Sequence, residues 1–267
     1  MIFTTDNGGP QHSTHNNWPL RGGKFTNWEG GVRGNCFVRG THNVQLVPLD
    51  AGVIGTWATP LMHASDWLPT INFLATGDTS PPQTQQRLDG FNQWDAIAHG
   101  SPSTRTSVVH NCMGPTIAHG ESMWQGAVRL HQYKLLFPGM ETTTLSSTMP
   151  YLSQRTPPPD YTPPSGLDAH RDLPPGINVT TLDGASHIAY FFDVVNDPLE
   201  TVNLAGSTDL AVKRALNNTM HFWATYYQHA VDDIKVAFKG DNDPAANPAL
   251  RADKTWGPFT NSKYCKW

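Results

Sequence analysis

From Ser107 onward the chain carries a series of short runs rich in β-branched and aromatic residues: SVVHN (107–111), GAVRLHQ (126–132), YKLLF (133–137) and HIAYFFDV (187–194). Such side chains fit a pleated, half-buried surface, so these runs read as strands of an antiparallel sheet. Between the third and fourth lies a Pro-rich stretch, about 150–176, containing TPPPDYTPPSG and DLPPG. Proline lacks an amide donor and fixes φ, so this stretch is neither helix nor central strand and reads as an extended surface excursion. Thr208 to Ile234 reads as a long amphipathic helix. Leu210, Leu216, Met220, Phe222, Trp223, Tyr226 and Tyr227 form its broad apolar face, and Asp209 stands near its positive end.

Upstream of residue 104 the texture differs. Met1 to Thr4 reads as a buried strand running into a polar, glycine-bearing turn, and residues 1–40 are rich in Gly, Asn and Trp. SDWLPTINFLA predicts a core-facing helix with Ser65 at its N-cap and Trp67, Leu68, Ile71 and Leu74 at helical spacing, ending at Gly77. LDGFNQWDAIAHG (88–100) reads as a second short helix that stops at Gly100. The expected division is therefore an αβ portion over 1–103 and an antiparallel-sheet subdomain over 104–267, closed by the long helix.

Composition narrows the function classes. A net charge of -4 gives no footprint for nucleic acid or an anionic membrane, and no run of about 20 apolar residues offers a membrane span. The N-terminus lacks a basic segment followed by an apolar one, so no signal peptide is read there. Cys36, Cys112 and Cys265 are too few and too odd in number for a disulfide scaffold. Two sequons, at Asn178 and Asn217, are candidate glycosylation sites.

The candidate chemistry lies in the first forty residues. In FTTDNGG, Asp6 and Asn7 put one charged and one neutral oxygen donor at a strand end, a ligand pair suited to calcium. Gly8 and Gly9 turn the backbone away without filling the site. The same residues also make a good Asx-turn leaving a strand, and both readings stand at this point. In NWPLRGGK, two glycines before Lys24 form a bendable loop that can present an ammonium to a sulfate or phosphate oxygen. His12 and His15 lie between these elements and read as exposed loop histidines; His110 reads as a strand-end residue.

FTTDNGG, NNWPLRGGKFTNWEGGVRG, HASDWLPTI and LDGFNQW, in this order, resemble consecutive blocks of the arylsulfatase B-like (N-acetylgalactosamine-4-sulfatase-like) branch of the type I sulfatases. FFDVVNDPLETVNLA resembles the family's late strand and following turn, and TWGPF its terminal segment. The resemblance implies an alkaline-phosphatase-like α/β fold, here truncated to its C-terminal portion, with an antiparallel sheet packed against a long helix. It implies that Asp6 and Asn7 help hold one calcium ion, that Lys24 contacts the sulfate group, and that Arg21 and Arg33 are structural. It further implies a lysosomal or secreted protein acting on aryl or carbohydrate sulfate esters.

The family's Cys/Ser-x-Pro-Ser-Arg motif, source of the formylglycine nucleophile, does not occur in these 267 residues. Two Asp/Asn side chains also fall short of the roughly six to eight oxygens that calcium takes. The expectation is a sulfuric ester hydrolase by family, with the chain inactive by itself. The alternatives are a non-catalytic sulfatase-like protein binding sulfated glycans or a protein partner, and, less in keeping with the lysine loop and its Trp-Glu-Gly-Gly flank, a metal-dependent phosphatase relative. A start inside an expected core strand favours truncation over a genuine short protein.

Overall fold

The computed structural model describes residues 1–10, 15–40, 49–78, 89–118, 121–138, 174–182 and 184–238, the side chains of 112–118, 121–124 and 228–238 excepted. The chain divides into two compact units, Met1–Phe222 and Trp223–Trp267. The elements in order are β1 (Ile2–Thr4), α1 (Glu29–Val32), β2 (Cys36–Val38), a 3-10 turn (Ala64–Asp66) leading into α2 (Trp67–Thr76), α3 (Trp94–His99), β3 (Ser107–Ala118), β4 (Glu121–Leu130), β5 (Tyr133–Phe137), β6 (Ile177–Thr180), β7 (Ser186–Asp193), a 3-10 turn (Leu204–Gly206) and α4 (Leu210–Phe238).

The expected antiparallel sheet is present, with five strands in the order β3-β4-β5-β7-β6 and every neighbouring pair antiparallel. Its register puts Ala127 opposite Leu136 and Leu136 opposite Tyr190, while Lys134 faces Phe192. With side chains alternating along each strand, Ala127, Lys134, Leu136, Tyr190 and Phe192 share one face, and Val128, Leu135 and Phe191 the other. All of them are buried, so the central strands are covered on both faces. This accounts for the unbroken apolar runs YKLLF and AYFF, where a half-exposed strand would alternate. β6 was not among the expected strands: INVT is short, and it pairs along the edge from Ile177↔Ala189 to Thr180↔Ser186.

Asn203 closes the end of β7. Its Oδ1 accepts the amides of Phe191 and Ala205, and its Nδ2 donates to the carbonyls of Ala189 and Pro175. α4 begins two residues later than expected. Asp209 is its N-cap, with Oδ1 accepting the amides of Ala211 and Val212. Leu216, Thr219 and Met220 are its buried stripe within the first unit, whereas Leu210 and Tyr226 are exposed. Mixed helices and sheets with a C-terminal antiparallel sheet agree with the expected architecture.

Three expectations are corrected. β1 is a strand, but not a buried one: among the described residues it pairs only with β2, antiparallel, and Ile2 and Phe3 are 38% and 44% exposed. The helix after residue 64 is capped by His63, whose Nδ1 accepts the Ser65 amide while Asp66 accepts the His63 amide, so Ser65 is not the N-cap. Leu68 and Ile71 are exposed; the buried positions of this segment are Asp66 and Thr70. Asp66 is there because Arg105 grips it with Nε and Nη2, at 2.8 and 2.6 Å, tying this helix to the approach to β3. α3 ends as expected at Gly100, in a left-handed C-cap with φ 68°. The bulk of the Pro-rich stretch, Cys112's side chain, Cys265 and the TWGPF segment lie outside the described residues.

Candidate functional site

The Asp-Asn-Gly-Gly turn and the lysine loop are laced together by the backbone. The Lys24 amide donates to the Gly9 carbonyl at 3.1 Å, and the Gly8 amide donates to the Gly31 carbonyl at 2.9 Å. Asn17 holds the junction: its Oδ1 accepts the Gly9 amide at 2.8 Å, while its Nδ2 donates to the carbonyls of Gly9 and Gly22. A Cβ on Gly8 would run into the Gly30 carbonyl oxygen, so the close approach of these two turns requires glycine at that position.

Asp6 is exposed and Asn7 half-buried. Asp6 Oδ1 accepts the Asn7 amide at 2.9 Å and Asn7 Nδ2 donates to the Gly8 carbonyl at 2.8 Å, each a bond to the next residue and not the two-residue span of an Asx-turn. The pair carries three side-chain oxygens, of which Asp6 Oδ1 accepts the Asn7 amide. The donor types fit calcium, but the set is partial: among the described residues there is no cluster of three or more His, Cys, Asp or Glu that could hold a metal.

Lys24 and Phe25 form the tip of a tight turn. The Thr26 amide donates to the Gly23 carbonyl at 3.0 Å, and Thr26 Oγ1 both donates to the Gly23 carbonyl and accepts the Gly23 amide. Phe25 has φ 76° and occupies the third position of this turn, where a left-handed φ ordinarily selects glycine. A non-glycine residue there costs roughly 1–2 kcal/mol. The residue is 71% exposed, and Lys24 Nζ lies over its ring, 5.5 Å from the centroid.

Behind the tip the loop is anchored in the sheet. Trp28 is fully buried in a cluster with Ala127, Leu136, Tyr190, Phe192 and Val194, making edge contacts with Tyr190 and Phe192 at 5.4 and 5.9 Å. Arg21, also fully buried, lies 5.7 Å from the Trp28 ring and donates to the Glu200 carbonyl. That is the structural part expected of it, whereas Arg33 is exposed. Next to Trp28, Glu29 meets Lys134 of β5 at 3.0 Å, and Lys134 meets Glu200 at 2.8 Å. The other Glu200 oxygen accepts the Glu29 amide at 2.9 Å, at the start of α1.

This buried triad has two carboxylates for one ammonium, and the ionisations divide accordingly. Burial would lower the Lys134 pKa, but Glu200 and Glu29 outweigh it and hold it above its ordinary value. Burial pushes the Glu29 carboxyl up, yet Lys134 wins and brings it below the usual range. Glu200 is raised to about 7, by burial first and by the neighbouring Glu29 charge, against the pull of Lys134. His110 sits inside β3 at a register break, not at a strand end as expected. Burial first and Lys134 second lower it to about 3, so its imidazole is neutral. His15 is exposed, as expected of a loop histidine, and His12 lies outside the described residues.

Sequence reasoning did not pick out Lys134, Glu200 or Asn17. A lysine inside the apolar run YKLLF was the available signal for the first, since a charge in a buried strand requires a partner. Asn178 and Asn217 both have exposed side chains, on β6 and α4. Thr219 of the second sequon is buried and its hydroxyl donates to the Ala215 carbonyl at 2.8 Å.

Among known proteins, no family model matches the chain. Mouse arylsulfatase J is 31% identical over 270 residues, an alignment covering 97% of this chain. The chain spans 39% of that relative's length. A sulfatase structure from Bacteroides thetaiotaomicron glycosaminoglycan metabolism aligns with a TM-score of 0.47 at 16% identity, covering 84% of this chain and 38% of that one. The arylsulfatase match runs through both the laced turns and the sheet that anchors them, and it supports a kinship of this chain with the C-terminal part of the sulfatases.

Proposed function

We propose that the chain is part of a calcium-dependent sulfuric ester hydrolase, in which Lys24 contacts the sulfate group and Asp6 and Asn7 supply two of the calcium ligands. The observation that carries this reading is the hydrogen bond from the Lys24 amide to the Gly9 carbonyl, which fixes the lysine turn against the Asp-Asn-Gly-Gly turn. The reading takes residues 1–103 as catalytic-domain sequence and 104–267 as the antiparallel subdomain on which the lysine loop rests. Bound calcium would supply charge to polarise a sulfate oxygen. Lys24, an ammonium at the tip of a turn braced by Thr26, holds a sulfate oxygen and stabilises the negative charge that grows there during S–O cleavage. Trp28 and the Glu29–Lys134–Glu200 triad keep that turn in place and exclude water beneath it.

The nucleophile is the part this sequence does not contain, so the 267 residues by themselves are expected to show no turnover of an aryl sulfate. The substrate is an aryl or carbohydrate sulfate ester, the location lysosomal or secreted, and Asn178 and Asn217 are the candidate glycan carriers. Among the described residues no helix is long and apolar enough to cross a membrane. The missing nucleophile motif also favours a second reading, a non-catalytic relative that binds sulfated glycans. Amide NMR of the chain during titration with calcium and then inorganic sulfate tests the ligand assignments common to both. Saturable shifts at Gly8, Gly9 and Lys24 that vanish in Lys24→Ala are expected; shifts indifferent to that substitution would sink the assignment. Turnover by a pure preparation would overturn the expected inactivity.

A further inference from the structure

We infer that Phe25 is a specificity-determining residue: its exposed ring is the platform on which the flat, apolar face of a ring-bearing sulfate ester rests while Lys24 holds the sulfate. The inference depends on the Lys24 assignment proposed above and adds to it the part of the ligand that is not sulfate. Four observations point the same way. Phe25 is 71% exposed, so its ring is not filling the core. It holds φ 76°, a conformation that glycine would take without strain, so the turn tolerates a phenylalanine where the backbone calls for none. Strained residues of this kind persist where the surroundings fix them, and they gather at ligand sites. Here the surroundings are explicit: Gly23 and Thr26 clamp the turn from both ends through three hydrogen bonds, and the Lys24 amide is tied to Gly9.

The fourth observation is the 5.5 Å separation between Lys24 Nζ and the Phe25 ring centroid. A cation at that distance is attracted to the face of the ring, which preorganises the ammonium beside an apolar surface. The pair thus offers a cationic point and an aromatic plane side by side. That is the complement of an anionic group attached to a planar or flat-faced carbon skeleton, and an isolated sulfate ion uses only half of it. Phenyl rings pack on aromatic faces in offset or edge geometry, and a pyranose presents a C–H face to the same surface.

The test measures binding of three probes to the chain, namely inorganic sulfate, phenyl sulfate and galactose 6-sulfate, by amide shifts around Lys24. For the unaltered chain, at least one ring-bearing ester should bind about tenfold tighter than inorganic sulfate, a stacking contribution of ordinary size. Phe25→Gly, which suits the left-handed φ and so keeps the turn folded, should bring that ester to within about twofold of inorganic sulfate measured on the same variant. Phe25→Trp should retain the preference. Which ester benefits distinguishes an aromatic from a pyranose ligand. If inorganic sulfate binds through Lys24 but the ester preference is missing, or survives Phe25→Gly, the platform is overturned and the Lys24 assignment stands. If no probe produces Lys24-dependent shifts, both fall together.

Discussion

The two halves of the candidate site touch, yet they are held in opposite ways. The lysine loop is a surface tip on a buried foundation: Arg21, Trp28 and Glu29 are each 0–3% exposed and reach the sheet through Tyr190, Phe192, Lys134 and Glu200. The Asp6–Asn7 turn stands at the end of a strand whose residues are all exposed, paired among the described residues only to the three residues of β2 and stiffened by the stacked rings of Phe3 and Phe37. A two-stranded ribbon is marginal in water unless something packs on it. The difference teaches that one loop can take its rigidity from sheet residues far along the chain, while the turn beside it is held by a few hydrogen bonds involving Gly8, Gly9 and Gly31.

The strongest way to break this contrast is to remove its foundation. Lys134→Met leaves Glu29 and Glu200 buried without their cation, and breaking a buried ion pair from one side costs about 3–5 kcal/mol. Urea denaturation should register that loss, and the Lys24 amide should lose its protection with it. A cost below about 1 kcal/mol would mean that the triad is not what supports the loop. Trp28→Ala is expected to cost a similar amount, about 3–5 kcal/mol, since a fully buried indole leaves a cavity against Tyr190 and Phe192. The same measurement checks it. Full stability in that variant would show the aromatic cluster to be dispensable.

These anchors also mark where sequence stops being informative. The strand runs 107–111, 126–132, 133–137 and 187–194 were legible from β-branched and aromatic residues, unbroken in the central strands because these are buried on both faces. Gly77 and Gly100 were legible as helix ends because a left-handed C-cap selects glycine. Asp6, Asn7 and Lys24 were singled out from local chemistry and family resemblance, and the backbone brings their turns together. Lys134 and Glu200 were not, because their meaning lies in each other's company across 66 residues. The exposure of β1, Leu68 and Ile71 was missed for a related reason: apolar periodicity reports which faces can be buried, not whether anything covers them.

A smaller effect sharpens the picture of the triad. Glu200 binds its proton more tightly when folded, so its contribution to stability is fully present below its ordinary value of 4.5 and is lost as pH rises to about 7. His110 does the reverse. Held at about 3 against an ordinary 6.5, it contributes above pH 6.5 and loses that contribution as pH falls. Glu29, lowered, weakens only in more acidic solution, and Lys134, raised, only in alkali. Between pH 4.5 and 6.5 the Glu200 and His110 slopes, each about 1.4 kcal/mol per pH unit at most, oppose one another and flatten the profile. Glu200→Gln removes one slope and leaves the other. Urea midpoints for that variant should rise with pH across this window, while those of the unaltered chain change little. Parallel profiles would mean that Glu200 ionises as an ordinary carboxylate.

The smallest predicted effect lies in the exposed half, and its smallness is the point. Asp6 is exposed, and its bond to the Asn7 amide is a contact with the next residue that Asn at position 6 could also make. Asp6→Asn should therefore change stability by no more than about 0.5 kcal/mol, as at an ordinary surface position. The same substitution removes the only formal negative charge of the proposed ligand pair, and calcium weights charge count heavily. Urea denaturation with and without calcium separates the two roles. With the ion absent the variant and the unaltered chain should superimpose; any stabilisation that calcium gives the unaltered chain should be lost in the variant. A large cost without calcium would instead make Asp6 a structural residue, and would erase the contrast between a foundation built into the sheet and an exposed turn that stability does not need.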